Sequence, residues 1–190
     1  MSETMNVLYE IAEPHAGYFT AAQAVGAGVS RRALSGRTKA GDIDQVRHGL
    51  YRLRRFPSHP FEDVIATCLW VGPDSAASHE TALAVHGVSD AMPTSIHVTV
   101  PRLFRGKQNG VIIHRASLPE DERQVRDSVP VTTLARTLQD VAETSDPYLV
   151  EQAVKHAVSR GALSQRQLRR IVRETPALGP LIVDALADGE

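Results

Sequence analysis

Two sets of residues have the types and spacing for chemistry. The first is cationic. Between Ser30 and His59 stand eight Arg or Lys side chains, Arg31, Arg32, Arg37, Lys39, Arg47, Arg52, Arg54 and Arg55, against two acids, Asp42 and Asp44. That window carries +6 in a 190-residue chain of net charge −1. Localised positive charge on a near-neutral protein suits phosphate contact, although a solvated charged face has the same composition. The second set is histidine. His79-Glu80 with His86 resembles part of a zinc site, because residues seven apart share a helical face. A zinc-protease helix needs His-Glu-x-x-His, and position 83 is Leu83. Satisfied polar residues at a helix start account for the segment better. His97 and His114, on adjacent strand-like runs, read as a paired structural couple rather than as ligands. No metal and no cofactor are expected.

Other chemistries lack their residues. There is no G-x-x-x-x-G-K-[ST] loop for nucleotide phosphates, and no Ser or Cys nucleophile elbow. No Asp or Glu is followed two residues later by Lys, so the carboxylate-x-lysine part of a nuclease site is missing. Asp140 and Glu143 share a helical face but read as solvated surface. No catalytic residue is expected, and the chain reads as a non-enzyme. The lone cysteine, Cys68, cannot form an internal disulfide and lies in an apolar run, which suits a core position and a reducing cytoplasm. No apolar run approaches the ~20 residues of a membrane span. The N-terminus lacks a charged segment followed by an apolar one, so no signal peptide is expected and the location reads as cytoplasmic.

The elements that would position the cations are legible. Residues 4–12 carry an apolar helical stripe ended near Pro14. Thr20 with Gln23 predicts a capping box for a second helix, from Ala21 to about Val25. Gly26-Ala27-Gly28 makes a tight turn. Ser30 caps a third helix that runs to about Ala40 and ends at Gly41. Val29, Ala33 and Leu34 should face the first two helices, leaving Arg31, Arg32, Ser35 and Arg37 on or beside the outer face. Ile43–Val46 and Leu50–Leu53 read as short strands, with Arg47-His48-Gly49 as the hairpin tip. This is the pattern of a winged helix-turn-helix, whose usual task is to place a basic helix in the DNA major groove.

Pro57 and Pro60 read as a linker, which puts a boundary between residues 1–57 and 58–190. Beyond it, residues 61–71 form a buried helix ended by Gly72-Pro73. Ser78 caps a helix over residues 79–86 that stops at Gly87. Strand-like runs follow at 95–100, 111–116 and 129–133, and from Leu134 the pattern is helical. Arg166, Arg169 and Arg170 make a basic face there, either solvated or touching a partner. The fold class is α+β: an N-terminal winged helix-turn-helix, then a mixed α/β domain with a helical C-terminal tail.

The segments GYFTAAQAVGAGVSRRALSGRTKAGDIDQVRHGLYRL, SHETALAVHG, IHVTVP and VPVTTLARTLQD together resemble the AbiEi family of antitoxins. The Phe-Thr-x-x-Gln-Ala opening and the Arg-His-Gly-x-Tyr-Arg-Leu wing are the most specific parts, and the likeness covers roughly residues 5–145 and, more weakly, the helical tail. It implies a winged-helix DNA-binding domain (1–57) that represses the protein's own operon through inverted repeats in double-stranded promoter DNA. It implies an antitoxin domain (58–190) that neutralises a nucleotidyltransferase-like toxin. Some members do so without a stable complex and others form one. The DNA contacts expected here are Ser30, Arg31, Arg32, Ser35, Arg37 and Lys39 on the third helix. Arg47, His48, Arg52, Arg54 and Arg55 are expected around the wing. A winged-helix unit used for protein contacts, blocking the toxin by direct binding, and a stand-alone regulator are the alternatives. Some proteins with the same opening continue into a nuclease-like domain after Arg-Thr-Leu-x-Asp. Here only helices follow Asp140, which again argues against an enzyme.

Overall fold

Ser2 accepts a hydrogen bond from the Met5 N–H and opens α1 (Glu3–Ala12) in the computed structural model, which describes residues 2–188. A single 3-10 turn, Glu13–His15, leads to Ala16 and Gly17, both with positive φ, which reverse the chain into β1 (Tyr18–Thr20). Glycine is required at 17, since a Cβ there would fall 2.6 Å from Phe56. Thr20 then caps α2 (Ala21–Gly26). Its hydroxyl accepts from the Gln23 N–H at 3.1 Å, and Gln23 Oε1 accepts from the Thr20 N–H at 2.7 Å, the reciprocal box expected from their spacing. Ser30 caps α3 (Arg31–Ala40), which Gly41 ends at φ 77°. The hairpin β2 (Ile43–Arg47) and β3 (Leu50–Leu53) completes the wing.

The wing has three strands, in the antiparallel order β1-β3-β2. β1 escaped the sequence reading because three residues make no alternating pattern. Arg47 closes β2 opposite Leu50, so the tip is His48-Gly49 and not Arg47-His48-Gly49. Leu8, Phe19, Leu34, Ile43 and Leu53 form the core beneath, with Val29 buried and Ala33 packed against it as their positions on the chain implied.

The chain divides into two compact units, Met1–Pro73 and Asp74–Glu190, rather than at 57/58. The reason is α4 (Glu62–Val71), which packs on β1 and β3 and so belongs to the first unit. Arg52 fastens the intervening segment: its guanidinium donates to the carbonyls of Leu53, Phe56 and Pro57 and to Glu62 at 3.2–3.3 Å. The prolines shape a tied-down turn, not a free linker.

The second unit holds a five-stranded sheet of order β6-β5-β4-β8-β7. Its strands are β4 (Ala76–Ala77), β5 (Ile96–Val100), β6 (Val111–Arg115), β7 (Arg123–Arg126) and β8 (Val129–Thr132). β4/β8 and β5/β6 run parallel, and β4/β5 and β7/β8 antiparallel. β7 joins β8 through Asp127 and Ser128, both at positive φ, the backbone of a type I′ hairpin turn. α5 (His79–His86) follows β4 and ends at Gly87. After the sheet come α6 (Leu134–Val141), α7 (Pro147–Ser159), α8 (Gln165–Glu174) and α9 (Gly179–Ala187). Leu83, Leu138, Val154, Ile171 and Ile182 from these five helices share one apolar core. Among the described residues no helix is long and apolar enough to cross a membrane.

His86 lies at the base of that unit, with Nε2 2.8 Å from the Thr132 carbonyl oxygen. Burial pushes its pKa below the ordinary value, with nearby Arg126 adding to the effect and the Thr132 bond opposing it.

Two outcomes follow. Phe19 is wholly buried and stacked on Tyr51 with ring centroids 5.7 Å apart. Phe19→Ala should lower stability by about 3–5 kcal/mol. Urea unfolding followed through Trp70, the single tryptophan and itself in the first unit, measures this; an unchanged midpoint contradicts the packing described. For His86, the folded chain releases its proton more readily than the unfolded chain. Its stabilising contribution is therefore complete above about pH 6.5 and is lost as the pH falls toward the lowered folded value. Thermal melts between pH 7 and 5 should show a shallower loss in His86→Gln than in wild type, by at most about 1.4 kcal/mol per pH unit. Parallel curves would show that His86 titrates alike in both states.

Candidate functional site

α3 is an exposed basic element of the first unit. At about 100° per residue, Arg31, Arg32, Ser35 and Lys39 fall within an arc of about 100°, while Leu34 and Ala33 turn to the core. All four outward residues are exposed. Arg31, Arg32 and Lys39 have no ion-pair partner among the described residues. The same holds for exposed Arg55 beyond the wing, and His48 is exposed at the wing tip. The Gly49 carbonyl accepts from the Ala21 N–H at 2.8 Å, which ties the tip to the start of α2. The tip of the wing and the start of α2 are thus joined by a backbone bond.

The remaining cations of the window are engaged inside the fold. Arg37 donates to Asp42 at 3.1 Å and to Ser2 Oγ at 2.5 Å. Arg54 grips both oxygens of Asp44, and that bond holds the Asp44 carboxyl below its ordinary pKa. Arg52 is the fastening already described and lies over the Tyr18 ring, 5.5 Å from its centroid. Arg47 lies 5.0 Å from the centroid of the Trp70 ring, and burial lowers its pKa. Ser30 uses its hydroxyl to cap α3. The two acids of the window, Asp42 and Asp44, are therefore spent on Arg37 and Arg54. What they leave free is concentrated on α3, at Arg55 and at the wing tip.

The second unit brings together a group that sequence spacing did not. His79, His97 and His114 each place a ring nitrogen within 4.8 Å of the others. His86, the partner suggested by spacing, is bonded to Thr132 instead. The cause is β4, whose pairing of Ala77 with Val98 carries the chain alongside β5. The Ser78 N–H donates to the His97 carbonyl at 3.0 Å, and the His97 N–H donates to Thr81 Oγ1 at 2.9 Å. These two bonds stitch the start of α5 to the strand. Parallel pairing of β5 with β6 sets His114 opposite Thr99, on the face that His97 shares.

Within the cluster, His97 Nδ1 and His114 Nε2 are 3.1 Å apart, and the His79 ring stacks on His114 at 3.7 Å. Ser78 stands at the N-cap position of α5 but makes no capping bond, because its Oγ lies 3.0 Å from His79 Nδ1. His79 itself adopts φ 51°, a left-handed backbone that costs a side-chain-bearing residue roughly 1–3 kcal/mol. Its pKa is pushed down to about 3, first by burial and then by His114, His97 and Arg136. Burial also lowers His97, against the pull of Glu80, and lowers His114, with His97 adding to the effect.

Beside this cluster, Arg136 pairs with Glu122 and donates to Asp140 at 2.7 Å, and Glu122 also takes Arg170 at 2.6 Å. Burial raises the Asp140 pKa more than Arg136 lowers it. Asp140 is therefore part of a nearly enclosed ion network rather than the solvated acid its spacing suggested. Arg170 belongs to the same network. Arg166 and Arg169 remain exposed on α8, along a surface cleft of about 860 Å³ that Arg170 and Arg173 also line.

Two family models match the chain. One described as "Transcriptional regulator, AbiEi antitoxin" covers residues 6–54, and one described as "AbiEi antitoxin C-terminal domain" covers residues 75–180. No curated protein matches. Among solved structures, the crystal structure of the RV2827C protein from Mycobacterium tuberculosis aligns with 98% of this chain and 76% of its own. Its TM-score is 0.54 and its identity 15%, a likeness of fold.

Proposed function

The chain belongs to the AbiEi antitoxin family, and we propose that it represses its own operon by laying α3 in the major groove of promoter DNA. The observation that carries this reading is the arc of Arg31, Arg32, Ser35 and Lys39, exposed and without ion pairs among the described residues. A guanidinium free of internal partners can pair bidentately with guanine O6 and N7 or with phosphate. Arg55 and His48 flank that helix as phosphate contacts at the wing. Arg37 and Arg54 are neutralised by their own acids and contribute less; Arg47 and Arg52 hold α4 and the wing in shape. In the same proposal, the second unit neutralises a nucleotidyltransferase-like toxin. That role rests on the family match over residues 75–180.

Fluorescence anisotropy on the upstream DNA and on scrambled DNA, across a salt series, tests the DNA reading. Tighter binding to the upstream sequence is expected. Arg31→Ala or Arg32→Ala should weaken it by about 1–3 kcal/mol where the arginine reads a base. Where it holds a phosphate, the salt slope should fall by about one unit. Arg37→Ala should change either quantity less. Wild-type affinity in both α3 variants removes that helix from the interface. Equal, weak binding to both DNAs moves the first unit's role to contact with the toxin.

A further inference from the structure

We propose that His79, His97 and His114 bind one divalent transition cation, zinc for preference, through three imidazole nitrogens with water as the fourth ligand. Three ring nitrogens within 4.8 Å of one another match the donor type and number of an open zinc site. In tetrahedral zinc, with Zn–N of about 2.0–2.1 Å, two ligand nitrogens stand roughly 3.3 Å apart. The 3.1 Å between His97 Nδ1 and His114 Nε2 is already near that span. A hydrogen bond between those two rings accounts for two histidines but not for the third, stacked on His114 and held there by a left-handed backbone. Loading requires the His79 imidazole to turn from the stack toward the ion, a side-chain rotation.

The surroundings fit the group. Ser78 Oγ, free of capping duty, accepts from His79 Nδ1–H in the loaded form and leaves Nε2 bare for the metal. Thr99 Oγ1 is buried without a hydrogen-bond partner among the described residues, on the same face of the sheet as His97 and directly across from His114. A metal-bound water gives that hydroxyl the partner it lacks. Glu80 is close enough to attract charge at His97, while Arg136, which opposes a cation, is itself neutralised by Glu122 and Asp140. An all-nitrogen donor set excludes magnesium and calcium, which need oxygen ligands.

The test uses the full chain, stripped with chelator and titrated with zinc by calorimetry, then with cobalt(II) in the visible range. One equivalent per chain is expected, together with a raised melting temperature. The cobalt spectrum should show ligand-field bands without a thiolate charge-transfer band. His97→Asn and His114→Asn should each weaken zinc more than about tenfold, since even outer-shell changes cost 10–100-fold. Ser78→Ala should weaken it by about that outer-shell amount, and His59→Ala, on the other unit, should leave zinc affinity unchanged. Circular dichroism of each variant separates lost ligation from lost fold. No stoichiometric zinc binding by the wild-type chain overturns the proposal, as does wild-type affinity in both folded Asn variants.

Discussion

Buried backbone N–H and C=O groups must be paired, and this constraint governs the fold of both units. Two very short strands obey it in the same way. β1, three residues long, pairs with β3 and hands the chain to Thr20, whose capping box starts α2. β4, two residues long, pairs with both β5 and β8 and hands the chain to Ser78 and His79. Neither strand has enough side chains to specify itself. β1 exists because β3 offers its backbone partners, and β4 because strands on both sides do. Everything proposed about function depends on where those two strands release the chain.

Electrostatics divides the arginines of the first unit into two classes by geometry rather than by type. Where a carboxylate or carbonyls lie within reach, as for Arg37, Arg52 and Arg54, the guanidinium is absorbed into the fold. Where no acid among the described residues forms an ion pair with the side chain, as on the outer arc of α3, the charge stays available. Exposed pairs such as Arg54 with Asp44 contribute little stability. Their larger effect is to cancel charge at that point of the surface and so concentrate the free field elsewhere.

The second unit stores its polar groups inside. Glu122 meets Arg136 and Arg170, Asp140 meets Arg136, and three histidines share one face of a sheet and one helix start. The strain at His79 is maintained because the stitching of Ser78 and Thr81 to β5 leaves its backbone no alternative. That strain and that clustering are what distinguish this corner from an ordinary core.

Local rules settled much of this in advance. The Thr20–Gln23 box, the Ser30 cap, the Gly41 and Gly87 stops and the strands β5, β6 and β8 of the second unit all follow from residue types at short spacing. So do the outward placement of Arg31, Arg32 and Ser35, though not the engagement of Arg37 with Asp42 and Ser2, and the overall α+β order. Interactions that act within about one helical turn, or along one strand, can be read from neighbours in the chain. Tertiary structure alone decided the rest. β1, β4 and β7 carry too little side-chain pattern, and the pairing partners of β1 and β4 lie far away in sequence. Arg47 and Arg52 turned out to hold α4 because that helix folds back onto the sheet. His79 found His97 and His114 rather than His86, because β-pairing sets spatial neighbours by register and not by distance along the chain.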